Sequence, residues 1–396
     1  MSKTVILSAM RTPFGKLGGS LSGLDATELG GVAIRAALEA AEVAGAQVEH
    51  VVMGQVLQAG QGQIPSRQAQ IKAGIPREVS SETINKVCGS GIRAAGLLDC
   101  AIRAGEIDVA VAGGMESMSN APYLLKGARF GYRMGDGQAL DAMTYDGLRN
   151  PFTGKQMAQE ASEVAAELEM TRPDMDRWAL RSHELALRAT DDGTLAEEIV
   201  AVTINGRKGE TVVEVDESPR RESSIEALSK LPPLFLKDGT HTAGNSPGVN
   251  DGAAALVLAS DGWAQSNGRR PLATIIAQAQ VADDFAYLAR TPGKAAEVAL
   301  KRIGLSASDV DLWEINEAFA SVTLNSIRML EIDEDKVNVN GGAVALGHPV
   351  GASGARILGT LVHELRRRGG GIGCAAICSG GGQGDAVIVE VNGNHG

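Results

Sequence analysis

Ile84-Asn85-Lys86-Val87-Cys88-Gly89-Ser90-Gly91-Ile92-Arg93 reads as the end of a strand, a turn and the start of a helix. The β-branched Thr83, Ile84 and Val87 suit a strand, and beyond the turn Ile92, Ala95, Leu98 and Ile102 recur at helical spacing. Cys88 therefore falls at the join. A helix N-terminus carries unpaired NH groups and roughly half a positive charge, which favours a thiolate and lowers a cysteine's pKa. Gly89 and Gly91 let the backbone turn tightly and let a ligand come close. The chemistry implied is a nucleophilic thiol. Two other readings compete. Cysteine is among the most often buried residue types and serves as core filler. The run Gly89 to Ala94 also fits a dinucleotide fingerprint with alanine last, but that fingerprint wants an acid at the far end of the following strand. Glu106 and Asp108 instead precede the apolar run Val109 to Ala112.

Outward from this unit, residues 4 to 9 read as a strand broken by Arg11 to Gly15, 26 to 44 as an alanine-rich amphipathic helix, and Val48 to Val56 as a second strand. Arg67 to Ala73 looks helical, the Cys88 helix runs to about Ala104, and the next strand ends in Gly113-Gly114. Alternating strands and helices predict a mainly parallel, doubly wound α/β sheet. From about 120 to 248 the texture turns irregular, with one strongly helical region over 154 to 191, as expected of a functional cover. Asp251 to Leu258 resumes the core pattern, and the remainder of the chain repeats the first half. Ala273 to Ala277 is a strand, Gly293 to Arg302 a helix, and Val310 to Ile315 a strand in the place of Val48 to Met53. Ser353-Gly354-Ala355-Arg356 opens a helix as Ser90-Gly91-Ile92-Arg93 does, and Ala375 to Cys378 leads into Gly380-Gly381-Gly382. One fold duplicated gives a pseudo-twofold core with a cleft at the interface, where sites are favoured.

A chain of 396 residues, 44% hydrophobic and 21% charged, is long enough for a large core and ordinary for a globular protein. Its net charge of -11 argues against a general nucleic-acid or anionic-membrane binder, so an anionic ligand needs a local basic patch such as Arg220-Arg221. The four cysteines, at 88, 100, 374 and 378, form no disulfide framework and suggest a reducing compartment. The start Met1 to Val5 leads into a strand, with no signal peptide or membrane-length apolar run, so a cytoplasmic enzyme is expected.

The second strand-turn-helix copy carries His348, one of six histidines, held between Gly347 and Pro349. A twofold relation would bring its loop to face Cys88, and a restrained histidine beside such a cysteine activates the thiol. Cys374 and Cys378 lack the second paired set of a metal site, His395 being the one histidine beyond them. As residues four apart on a strand they share a face. Ser379 to Gly384 lacks the Lys-Ser/Thr ending of a phosphate loop and is better suited to offering backbone NH groups to an oxygen.

Val87-Cys88-Gly89-Ser90-Gly91, Asn316-Glu317-Ala318-Phe319, Asn338 to Gly342 with Gly347 to Gly354, and Cys378 to Gly382 together resemble the thiolase family, in order and over essentially the whole chain. The resemblance implies a five-layer α/β/α/β/α core of two related halves, 1–119 with 249–270 and 271–396, and a loop domain at 120–248 that covers coenzyme A. It implies that Cys88 is acylated, that His348 takes its proton and that Cys378 removes the α-proton of a second acyl-CoA. Asn316, through a water, and His348 would hold the enolate oxygen, and the NH groups of Cys88 and Gly380 a second oxyanion. Arg220 matches the family's basic residue near the nucleotide. Leu148, Met157, Phe235, Ala243 and Phe319 match apolar positions along the pantetheine tunnel. Gln156 and Pro247 stand where many biosynthetic members have histidine and serine, with Ser246 placed to compensate, and Leu288 to Pro292 replaces a glycine-rich segment.

The expected activity is acetyl-CoA C-acetyltransferase, joining two acetyl-CoA or cleaving acetoacetyl-CoA with CoA, with no metal and no redox cofactor. A broad-chain 3-ketoacyl-CoA thiolase and a non-catalytic acyl-CoA binder of the same fold are the alternatives. The second is disfavoured because binding alone needs none of Cys88, His348, Cys378 and Asn316. A homodimer or homotetramer is expected, with Tyr123 to Asp136 as an assembly element by the same resemblance.

Overall fold

The computed structural model describes residues 2–206 and 209–393, so His395 lies outside the described residues. The first half supplies strands β1 (Thr4–Arg11), β2 (His50–Gly54), β3 (Ser80–Ile84), β4 (Val109–Ser117) and β5 (Asn250–Ser260). The second supplies β6 (Ala273–Ala282), β7 (Leu312–Ile315), β8 (Gly371–Ser379) and β9 (Gln383–Val391). They hydrogen-bond in the order β7-β8-β9-β6-β1-β5-β4-β2-β3. The halves correspond strand for strand: β2 lies parallel between β3 and β4, and β7 lies parallel between β8 and a single bridge at Val337. They join where Thr4 to Ile6 of β1 pairs antiparallel with Ala273 to Ile275 of β6.

The expected mainly parallel sheet is corrected here, because only the β2–β3, β2–β4 and β7–β8 pairs are parallel. β5 returns antiparallel to both β1 and β4 after the long insertion. β8 and β9 form a hairpin turned by Gly381 and Gly382, whose φ values are 75° and 71°. Alternation of strands and helices fixes neither direction when a strand arrives through an insertion or a hairpin.

Helices α1 (Ala26–Ala40) and α2 (Pro65–Lys72) cover one outer face, α3 (Ser90–Ala104) lies in the middle, and α4 (Met157–Glu167) and α5 (Arg172–Asp191) belong to the insertion. α6 (Thr291–Arg302) and α7 (Ala320–Leu330) cover the opposite outer face, and α8 (Ser353–Arg367) packs on α3 in the middle. Three apolar layers arise from the strands' period of two. Val109 and Val111 meet Leu29, Ala33 and Ile34 of α1. Ala110 and Ala112, together with Ala375 and Ile377, enclose Ile92 and Leu98 of α3 and Leu358 and Leu361 of α8. Cys374 and Ala376 meet Ala295, Ala299 and Ile327 of the other outer helices. The architecture is therefore α/β/α/β/α.

Two further expectations are revised. The helical region over 154 to 191 breaks at Leu168 to Thr171, where Glu169 turns through φ 54° and Thr171 caps α5 ahead of Pro173. β4 does not stop at Gly113-Gly114 but runs to Ser117. These glycines serve close approach and not a turn: a Cβ on Gly114 would sit 1.9 Å from the Gly351 carbonyl oxygen, on the loop just past His348. No helix among the described residues is long and apolar enough to cross a membrane.

Candidate active site

Cys88 sits between β3 and α3, preceded by Val87 at φ 46°. A β-branched residue there is strained, which marks a loop held by its surroundings. Gly89 and Ser90 donate their backbone NH groups to the Lys86 and Val87 carbonyls at 3.1 Å each, so the first turn of α3 folds back on its own loop. Ser90 Oγ accepts from the Lys86 NH at 2.8 Å and donates to the Val87 carbonyl at 2.7 Å.

His348 arrives from the other half. Its NH donates to Asn250 Oδ1 at 2.9 Å, and its Nε2 lies 3.2 Å from Cys88 Sγ. Nδ1 lies 2.6 Å from Ser353 Oγ, which itself donates to the Pro349 carbonyl at 3.0 Å. A hydroxyl already donating must accept, so the network assigns the proton to Nδ1 and leaves Nε2 free to take the thiol proton. Glu116, buried between the halves, accepts from the Val56, Leu57 and Gly351 NH groups at 3.0 Å each and ties the His348 loop to the first half.

The expected low-pKa thiolate is corrected by this environment. Burial pushes the Cys88 thiol up to about 12, helped by the nearby Glu116 charge, and burial, with the Arg356 charge second, pushes His348 down to about 3. The Gly89 and Ser90 NH groups are turned to the loop carbonyls, and the lowering by the Cys88 NH does not offset burial. The resting pair is neutral thiol and neutral imidazole, and the nucleophile is made by transferring the proton during attack. Cys378, the penultimate residue of β8, is 1% exposed and is pushed well above the ordinary thiol range by burial and by its proximity to Cys88.

Cys88, His348, Cys378 and Gly380 line one cleft. Neither the Cys88 NH nor the Gly380 NH donates to any described residue. Leu148, Met157, Phe235, Ser246 and Phe319 line the same cleft, as do Pro247 and Gln156. The Ser246 hydroxyl is buried and has no partner among the described residues. Asn316 is fully buried just off the lining, and neither its Oδ1 nor its Nδ2 finds a partner there. Ala243 and Arg220 are exposed and lie outside the lining. Arg221 is paired with Asp191 at 2.8 Å, whereas the Arg220 guanidinium has no partner among the described residues.

Sequence reading missed Leu234 and Val350 in the apolar wall, and Ser353, Glu116 and Asn250 behind His348. Leu288, singled out in the substituted 288 to 292 segment, does line that wall. Asn250 and Glu116 had no signal, because they stand 98 and 235 positions from His348 and Gly351, and Ser353, five residues from His348, shows in sequence only as the start of a helix. Among the described residues no group of three or more His, Cys, Asp or Glu side chains is disposed to hold a metal ion.

A buried thiol facing a neutral imidazole, with a second thiol beside it in a long apolar cleft, is the equipment of an acyltransferase that works on thioesters. Models of the "Thiolase, N-terminal domain" and the "Thiolase, C-terminal domain" match residues 4–262 and 269–391. The chain belongs to the thiolase family. It is 49% identical over 391 residues to an acetyl-CoA acetyltransferase of Cupriavidus necator, covering 98% of this chain and 100% of that one. It is 47% identical over 387 residues, with the same coverage, to a probable acetyl-CoA acetyltransferase of Mycolicibacterium smegmatis. The crystal structure of the Bacillus anthracis acetyl-CoA acetyltransferase superposes with a TM-score of 0.97 at 40% identity over 99% of both chains.

Proposed function

We propose that this thiolase condenses two acetyl-CoA to acetoacetyl-CoA and CoA, and runs the reverse thiolysis, by a ping-pong cycle through S-acetyl-Cys88. The observation that carries the reading is the 3.2 Å approach of Cys88 Sγ to His348 Nε2, with Nδ1 fixed on Ser353. In the first half-reaction the thiol attacks the acetyl carbonyl as its proton passes to Nε2. The oxyanion is held by the NH groups of Cys88 and Gly380, and the departing CoA sulfur takes the proton from Nε2. In the second, Cys378 passes its proton to His348 Nε2 and, as the thiolate, removes the α-proton of another acetyl-CoA. Asn316, whose amide atoms are buried without partners, and protonated His348 stabilise the enolate oxygen while its carbon attacks S-acetyl-Cys88; the Cys88 sulfur then departs and takes back the proton from Nε2. Each step moves a proton or an acyl group, so the cycle calls for no metal and no redox cofactor.

In this reading Leu148, Met157, Phe235, Ser246 and Phe319 contact pantetheine, Ala243 lies at the tunnel's rim, and Arg220 meets the nucleotide end. The division is 1–119 with 249–270 for the Cys88 half, 120–248 for the cover, and 271–396 for the His348 and Cys378 half. Exposed Phe130 and Met134, 90% and 96% accessible, support Tyr123 to Asp136 as an assembly element of a homodimer or homotetramer. The test is incubation with labelled acetyl-CoA, acid quench and peptide mapping. Label on the Cys88 peptide is expected, and label on Cys378 or Cys100 with Cys88 free overturns the assignment.

A further inference from the structure

Lys86 is fastened to the second half of the molecule by both its side chain and its backbone. Its Nζ lies 2.8 Å from Oδ1 and 2.7 Å from Oδ2 of Asp385 on β9, and 3.1 Å from Gln280 Oε1 on β6. Its carbonyl accepts from the hydroxyl of Ser379, the residue after Cys378, and Ser379 Oγ also accepts from the Gly89 NH at 3.4 Å. The ion pair is shielded, the side chains being 14% and 5% exposed. Between Lys86 and Cys88 stands strained Val87, and a Cβ on Gly380 would come within 3.0 Å of the Val87 side chain. The chain from Asp385 through Lys86 and Val87 thus reaches both the nucleophile and the Gly380 NH. The His348 side of the site is held separately, by Asn250 and Glu116.

We propose that the Lys86–Asp385 pair is a positioning device that sets Cys88 against Cys378 and Gly380 across the junction of the two halves. The inference rests on the thiolase reading of that site. Neither residue lines the cleft or meets a reacting atom, so the pair acts through the loop that it holds.

Charge removal separates positioning from plain stability. Lys86→Met leaves the Asp385 carboxylate buried without its counterion and lowers Tm, whereas Lys86→Met combined with Asp385→Leu removes both charges and restores most of that loss. If the pair positions the loop, the double variant still turns over about tenfold or more slowly than the parent, with KM for acetyl-CoA within about twofold. Lys86→Arg, which keeps the pair, retains most of the rate. A folded double variant with parental kcat overturns the proposal and leaves the pair a stability element. Should the double variant not fold, the isosteric Asp385→Asn is measured instead, with lowered kcat at unchanged KM expected and parental kcat overturning the proposal. Acetyl labelling of parental Cys88 is measured in parallel. Its absence refutes the thiolase reading, while its presence with parental kcat in the variants refutes only the role of the pair.

Discussion

Replacing Ser353 by Ala tests the tautomer on which the thiol chemistry depends. Ser353 Oγ sits 2.6 Å from His348 Nδ1 and donates to the Pro349 carbonyl, so it can only accept from the ring. Without it, a buried N–H has no acceptor, or the proton shifts to Nε2 and points at Cys88 Sγ, where it cannot receive the thiol proton. A buried donor left unsatisfied costs about 1–3 kcal/mol, which at about 1.36 kcal/mol per decade corresponds to a loss of roughly 5- to 150-fold in the step that uses the ring. That step is acylation of Cys88, read by rapid quench with labelled acetyl-CoA. KM should stay near the parental value because Ser353 is absent from the cleft wall. Ser353→Thr, which keeps the hydroxyl, should recover most of the rate, and Tm of both variants controls for packing. Acylation of the alanine variant within about twofold of the parent would refute the argument, since the ring would then hold its tautomer without Ser353.

Cys378→Ala should still accept an acetyl group on Cys88 but lose condensation by on the order of 100-fold or more, and near-parental condensation would make Cys378 structural. Iodoacetamide alkylation of Cys88, with peptide mapping to separate it from exposed Cys100, should climb with pH without a plateau up to pH 9. A thiol pushed up to about 12 has its thiolate fraction still growing throughout that range, and a plateau below pH 8 would instead reveal a thiolate–imidazolium pair. Arg220→Ala should raise KM for acetyl-CoA and leave KM for a pantetheine thioester nearly unchanged, and equal losses would remove Arg220 from the nucleotide. In a thiolysis series acetoacetyl-CoA should be best, because Met118 and Leu288 stand in the cleft wall and overpacking against them by about 1.4 kcal/mol lowers kcat/KM roughly tenfold. A level rate from 3-ketobutanoyl to 3-keto-octanoyl esters would favour the broad-chain activity.

How far the chain alone discloses fold and site depends on where each signal resides. The strand-turn-helix at Cys88 and its copy at His348 are readable because periodicity and turn residues are local, and comparing the two copies then foretells that the loops meet. The same local signal mistakes the end of β4, because a glycine placed for close approach looks in sequence like a glycine placed for a turn. Gly114 differs from a turn glycine only through the Gly351 carbonyl, 237 positions along the chain and 1.9 Å from where its Cβ would be. Strand direction fails for a related reason, since β5 is separated from β4 by the whole insertion and nothing in either strand records the path between them. The thiol's ionisation is misjudged because a helix start can be read from spacing, whereas burial and the Glu116 charge come from parts of the chain that only the fold brings to Cys88. That last error bears on mechanism. A Cys88 already ionised would need His348 only as a counterion, and the ring's tautomer would hardly matter. A thiol kept neutral by burial makes the rate depend on a free Nε2, and so on Ser353, a residue whose only signature in the sequence is the first turn of a helix.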